Sequence, residues 1–264
     1  MIEPTPADTA NPIETTAKPE PPARIDLTRT AFFFDFDGTL TEIVEDPHAV
    51  VVEPRIRSAL QALQENAGGA VALISGRSIE QLDDMLHPLR LPAAGVHGLE
   101  RRNRDGRVFR VEIDQEAAAN LQNAVAEFVA EHPGLLAEVK PGSVALHYRK
   151  RPDVESASHA LAANLASNDN RLRVVFGKMV VEIKLAGRTK ADAISDFMAE
   201  PPFLGRRPLF AGDDITDEDG FAAVQNWNGM SIKIGDGETH ATHRLRDVAA
   251  FHDWLVKLSA GSPR

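Results

Sequence analysis

The chain is predicted to be an α/β protein: a doubly wound parallel sheet with a smaller α+β unit inserted into it. Three observations carry that prediction. Short, unbroken apolar runs alternate with amphipathic helical patterns from Ala31 onward. The alternation is interrupted between about residues 109 and 185 by helix, hairpin, helix, hairpin. It then resumes to the C-terminus. Alternating strands and helices favour a parallel sheet with helices on both faces.

Ala31-Phe32-Phe33-Phe34 is the first run, and a strand with no polar face belongs where both faces are covered. Pro54 opens a helical pattern carrying Ile56, Leu60 and Leu63, and Gly68-Gly69 ends it. Ala70 to Ile74 reads as the second strand. Ser78 starts a helix with Ile79, Leu82, Met85 and Leu86 on one side, and Ala94 to His97 reads as the third strand.

In the interruption, Gln115 to about Glu131 carries a stripe of Leu121, Val125, Phe128 and Val129, with Pro133 just beyond. Leu135–Val139 and Ser143–Arg149 flank a Pro141-Gly142 turn. A helix over about 153–166 and a strand pair near 171–176 and 179–185, turning at Gly177, complete the unit. Afterwards come a helix over 189–198, a strand over 208–211, a helix over 218–224 and a strand over 231–234. The last helix carries Val248, Phe251, Leu255 and Leu258. The expected division is a tail at 1–29, a core at 30–108 and 186–264, and the insertion at 109–185.

Composition narrows the class. Prolines 4, 6, 12, 19, 21 and 22 punctuate the tail, which has too few large apolar residues to offset ordering entropy. It lacks the basic patch and apolar core of a secretion signal. No apolar run is long enough to span a bilayer, so no membrane role is expected. With no cysteine in 264 residues, disulfides and thiol catalysis are excluded, and a cytoplasmic setting is expected. A formal net charge of −10 disfavours nucleic acid as a partner. A small anionic substrate then needs local positive charge. A monomer is the expected state.

Four segments place reactive groups where strands or the insertion feed the sheet edge, the side on which open α/β sheets bind ligands. Asp35-Phe36-Asp37-Gly38-Thr39-Leu40 follows the Phe run. Alone it is equally an Asp-Gly turn. Gly212-Asp213-Asp214-Ile215-Thr216-Asp217-Glu218 follows Leu209-Phe210-Ala211. Acids so crowded repel one another unless a cation lies among them, and carboxylate oxygen suits Mg²⁺. Helix capping accounts for Thr216 and Asp217 but not for Asp213 and Asp214. Ser75-Gly76-Arg77 offers a hydroxyl and N–H groups near a helix start, as an anion site or a plain N-cap. Lys190, after Gly187-Arg188-Thr189, is by itself an ordinary surface lysine. The four together, in this order, point to one site.

On these residues the chain resembles the haloacid-dehalogenase (HAD) superfamily of phosphotransferases. Asp35-Phe36-Asp37-Gly38-Thr39 matches its first motif, Ser75 its second, Lys190 its third, and Gly212-Asp213-Asp214 with Asp217 its fourth. The insertion is similar to the mobile cap of some members. Within the superfamily the chain is similar to the trehalose-6-phosphate phosphatases. That likeness rests on Val96-His97-Gly98-Leu99-Glu100, on Lys140 with His147-Tyr148-Arg149, and on Val181-Glu182-Ile183-Lys184. It departs at Leu185-Ala186, where relatives often carry proline.

The resemblance implies a Mg²⁺-dependent phosphatase of a small sugar phosphate, with Asp35 as nucleophile, Asp37 as acid and base, and Ser75 and Lys190 on the phosphoryl oxygens. It implies metal ligands at Asp35, Asp37 through its carbonyl, and Asp213, with Asp214 or Asp217 assisting. Gly76, Arg77, His97, Gly98 and Glu100 are implied substrate contacts. In the insertion, side-chain alternation puts Val144, Leu146 and Tyr148 opposite Ser143, Ala145, His147 and Arg149, and sets Glu182 and Lys184 against an apolar face. A polar roof of Lys140, His147, Arg149, Glu182 and Lys184 over the sugar is the expectation. The same pattern also fits a solvated sheet face. Other sugar phosphates, a phosphomutase and a non-catalytic sugar-phosphate sensor remain open alternatives.

Overall fold

The computed structural model describes residues 20–22, 24–44, 50–177, 179–185 and 187–261. Most of the expected tail, residues 1–19, lies outside them. Its end does not behave as a tail: Ile25 and Leu27 pack against the core, because they are the apolar residues nearest the first strand.

The larger unit is an eight-stranded sheet in the order β12-β11-β10-β1-β2-β3-β4-β5. Its strands are β1 (Thr30–Phe34), β2 (Val71–Ile74), β3 (Ala93–Gly95), β4 (Glu100–Arg102), β5 (Val108–Arg110), β10 (Arg207–Gly212), β11 (Met230–Ile234) and β12 (His243–Leu245). The strands from β12 to β3 run parallel, and β4 and β5 are antiparallel additions at one edge. The three short strands β4, β5 and β12 were not expected; each is three residues long and carries at least one charged residue, which breaks the apolar-run signal. The third strand ends at Gly95, two residues early, because Val96–Gly98 turns into a short 3₁₀ segment. β5 belongs to the large sheet, so the insertion begins after Arg110 rather than at 109.

β1 is buried throughout, and its alternation divides the phenylalanines between two cores. Phe32 and Phe34 face α1 (Pro54–Asn66), α2 (Ile79–Leu86) and α7 (Val248–Ser259). Phe33 faces α5 (Lys190–Met198) and α6 (Glu218–Gln225), stacking on Phe203 at 5.4 Å. Each buried phenylalanine contributes roughly 2 kcal/mol by area. Covering both faces of a parallel sheet in this way is the double winding.

The insertion has its own core. α3 (Gln115–Glu131) and α4 (Glu155–Asn168) pack on one face of an antiparallel sheet. Its strands are β6 (Leu136–Lys140), β7 (Ser143–His147), β8 (Leu172–Gly177) and β9 (Val180–Leu185), in the order β6-β7-β9-β8. Val144, Leu146, Tyr148, Val181 and Ile183 are buried against the helices. The two expected hairpins therefore join side by side through β7 and β9, Ala145 opposite Glu182. Among the described residues no helix is long and apolar enough to cross a membrane.

Candidate active site

Asp35 sits where β1 ends, between β2 and β10, and its N–H is bonded to Ala211 of β10. It is buried, and Lys190 Nζ donates to its Oδ1 at 2.6 Å. The same ammonium donates to Asp217 Oδ1 at 2.6 Å. Thr189 caps α5 through a capping box and so fixes Lys190 at the first helical position. Burial pushes the Asp35 carboxyl well above its ordinary value; Lys190 opposes this, and Asp217 and Asp213 reinforce it. Burial disfavours charge on Lys190, but Asp217 and Asp35 outweigh it and hold the ammonium protonated.

Asp217 is fully buried, and its Oδ2 accepts the N–H groups of Asp213 and Asp214 at 3.0 and 2.9 Å. It thus shapes the acidic loop as well as pairing with Lys190. Burial, together with the charge of Asp217, raises Asp213 to about 7. Gly38 (φ +79°) touches Asp213 so closely that a Cβ there would lie 2.1 Å from its Oδ2. Only glycine satisfies both that contact and that φ.

Asp35, Asp213 and Asp217 each offer an oxygen within 4.8 Å of the others. Asp213 Oδ1 is buried and has no hydrogen-bond partner. An oxygen-only set with one uncommitted buried acceptor fits a hard divalent cation such as Mg²⁺. Of the two expected assisting acids, Asp217 is in this cluster and exposed Asp214 is not. Asp214 caps the following turn, accepting the Ile215 N–H at 2.6 Å. Lys233 donates to the Asp213 carbonyl from inside buried β11. It was missed, although a lone lysine in an apolar run is a visible signal.

A cleft of about 460 Å³ separates this cluster from the polar face of the cap sheet. Asp35, Asp37, Ser75, Gly76, Arg77, His97, Lys190, Asp213 and Asp214 line it from the core. Lys140, His147, Arg149 and Glu182 line it from the cap. His97 Nε2 reaches Glu182 Oε2 at 3.3 Å across the gap. Burial depresses the His97 pKa, Glu182 opposing, so a neutral imidazole donates to the carboxylate. Burial resists charge on Glu182, but the hydrogen bond from His97, with Lys140 and the Ser143 hydroxyl, holds its pKa far below the usual range. Val96 and His97 both adopt positive φ, 49° and 53°, which costs about 1–3 kcal/mol each. Their N–H groups bond Arg77 O and Ser75 O, which holds that turn beside the Ser75 loop. Gly76 leaves room for the His97 ring, 2.8 Å from where a Cβ would stand.

Three expected substrate contacts lie elsewhere. Gly98 packs on the start of α5, near Thr189 O and Ala193. Glu100 caps α2, accepting the Ile79 N–H at 2.6 Å. Lys184 shares the roof face of β9 but does not border the cleft. Conversely Glu138 does border it, with His147 at 3.3 Å and Lys140 at 3.6 Å, and was missed. Strand alternation applied to β6 puts Glu138 beside Lys140 on one face. Ile43, Val44, Val50, Val175 and Val180 add apolar wall.

Comparison with known proteins places the chain among relatives of one kind. The chain is 45% identical over 229 residues to a protein of Escherichia coli (strain K12) named trehalose-6-phosphate phosphatase, covering 87% of this chain and 86% of that one. The fold matches the C-terminal domain of a Candida albicans trehalose-6-phosphate phosphatase with TM-score 0.80 at 21% identity, over 89% of this chain and 93% of that one. It also matches a haloacid dehalogenase-like hydrolase from B. subtilis with TM-score 0.62 at 13% identity, over 88% and 100% of the chains. Residues 33–249 match the family described as Trehalose-phosphatase, and with the HAD-like fold and the carboxylate cluster in place, the chain belongs to that family.

Proposed function

We propose that the protein hydrolyses trehalose 6-phosphate to trehalose and inorganic phosphate through a phosphorylated Asp35. The observation that carries this reading is the cleft itself. The buried Asp35–Lys190–Asp217 network faces, across one cavity, a cap sheet lined with sugar-compatible donors and acceptors. The 45% identical relative that bears that activity in its name supports the substrate.

Phosphate-ester hydrolysis is slow without catalysis because an anionic nucleophile must meet an anionic phosphate. Asp35 attacks phosphorus as the bond from phosphorus to the sugar oxygen breaks, and Asp37 gives that oxygen a proton. Water then attacks the aspartyl phosphate, Asp37 takes the water's proton, and Asp35 is regenerated as phosphate leaves. Ser75 and Lys190 hold the phosphoryl oxygens. Ser75 Oγ accepts the Arg77 N–H at 3.1 Å, which leaves its hydroxyl proton to donate. Asp35 and Asp213, with Asp217 behind them, would hold Mg²⁺, which would supply charge neutralisation at the phosphoryl group. On the cap, Glu138, Lys140, His147 and Glu182 recognise sugar hydroxyls.

The test is phosphate release from trehalose 6-phosphate, sucrose 6-phosphate, glucose 6-phosphate and 4-nitrophenyl phosphate, with and without Mg²⁺. Mg²⁺-dependent preference for trehalose 6-phosphate is expected. Preference for another sugar phosphate would overturn the substrate and keep the chemistry; no release from any would overturn both.

A further inference from the structure

Arg77 occupies an unexpected place. Resemblance casts it as a substrate contact, yet its guanidinium is paired with Asp37. Nε donates to Asp37 Oδ2 at 2.7 Å and Nη2 to Oδ1 at 2.6 Å, a two-pronged pair. The arginine side chain is 9% exposed, while that of Asp37 is 37% exposed at the edge of the cleft. The arginine is itself well anchored. Its N–H bonds Ser75 Oγ, its carbonyl accepts the Val96 N–H, and its guanidinium carbon lies 5.8 Å from the Phe36 ring centre.

A carboxyl group at a strand exit turns freely about its side-chain bonds unless something holds its plane. A guanidinium fork fixes both oxygens at once, which a single lysine bond does not. Proton transfer in a transition state is sensitive to such alignment, because the acid must lie within hydrogen-bond reach of the oxygen it serves. The buried arginine is the fixed partner here, and the more exposed aspartate is the group being aimed.

We propose that Arg77 is a positioning residue for Asp37, orienting its carboxyl toward the departing oxygen, and is not a ligand of the substrate phosphate. This rests on the assignment of Asp37 as acid and base given above. It makes a distinctive demand: losing Arg77 harms reactions in proportion to their need for an acid, and leaves phosphate binding alone.

The experiment compares Arg77→Lys, Arg77→Ala, Asp37→Asn and wild type, all loaded with Mg²⁺ and checked for folding by thermal melting. First-turnover release of the alcohol is measured for trehalose 6-phosphate, phenyl phosphate and 4-nitrophenyl phosphate. Inhibition by inorganic phosphate is measured in parallel. For Arg77→Ala the expected loss is roughly 10- to 100-fold on the sugar phosphate and under about threefold on 4-nitrophenyl phosphate, whose leaving group needs little acid. Arg77→Lys should fall between alanine and wild type, and phosphate inhibition should stay within about twofold of wild type in both. Should the alanine variant fail to fold, the lysine variant decides alone by the same pattern. Equal losses on all three substrates, or phosphate inhibition weakened about tenfold or more, would make Arg77 a phosphate ligand and overturn the inference. If Asp37→Asn shows the leaving-group dependence and folded Arg77 variants do not, the inference fails while the mechanism stands. If Asp37→Asn itself shows none, the assignment of the acid fails and this inference with it.

Discussion

The two walls of the cleft are built on opposite principles. On the core side Asp35, Lys190 and Asp217 have side chains 6% exposed or less, and each is tied to the others or to backbone N–H groups. On the cap side Glu138, Lys140 and His147 are 21–31% exposed and joined by contacts of 3.3 Å or longer. A buried charge network is geometrically rigid and fails badly when one member is lost. A half-exposed cluster exchanges partners with water and ligand at little cost. On the proposed function, the chemistry is held where it cannot relax, and recognition is held where it can.

The sharpest way to break that contrast is Lys190→Ala. It leaves two buried carboxylates without their cation. We expect a loss of about 3–5 kcal/mol in stability by denaturant melts and at least about 10³-fold in turnover. A mild effect on both would mean the core wall is no more rigid than the cap.

Glu182→Ala comes next, since Glu182 belongs to the cap but is paired to His97 of the core. About a 100-fold fall in kcat/KM for trehalose 6-phosphate is expected, with about tenfold less effect on an aryl phosphate. Equal losses would remove Glu182 from substrate recognition.

Glu138→Gln should do less. It keeps the shape of the side chain and weakens one charge-assisted contact, so about a three- to tenfold rise in KM with kcat nearly constant is expected from steady-state kinetics.

The smallest effect concerns pH. The folded His97 pKa lies below its ordinary value of 6.5, so between the two values the unfolded chain binds a proton that the folded one refuses. Stability from this source is intact above 6.5 and declines as pH falls toward the folded pKa. The melting-temperature gap between wild type and His97→Gln should accordingly narrow as pH is lowered through that window. A gap that widens would mean His97 is protonated in the fold.

Much of this was legible in the residues. Apolar runs marked β1, β2, β3, β10 and β11 because strands buried on both faces are mostly apolar; Ser231 and Lys233 of β11 are the buried polar exceptions, and both are hydrogen-bonded. The short strands β4, β5 and β12 were not legible, because each spans three residues and carries charge: Glu100, Arg101 and Arg102 in β4, Arg110 in β5 and Arg244 in β12. At the site, Asp35 and Asp213 were singled out by where they leave the sheet and Lys190 by where the insertion returns to it, and the three lie together in the structure. The roles of Glu100 and Asp214 were not, since a carboxylate that caps a turn and one that serves a ligand look alike until partners are seen. Glu138 was within reach of alternation alone.

The placement of β1 bears on how the chain assembles as it is made. β1 pairs in the finished sheet with β10, Thr30 opposite Arg207 and Phe34 opposite Ala211, and the whole cap is synthesised between them. A nascent chain emerging from a ribosome can complete the cap, with its own interior, before the larger sheet can close. Until β10 arrives, the apolar edge of β1 has no neighbour on that side. Long-range strand pairing of this kind slows folding and exposes sticky surface meanwhile. The cap can thus form first, and Asp35 meets Lys190 and the acidic loop only after the whole cap has been synthesised.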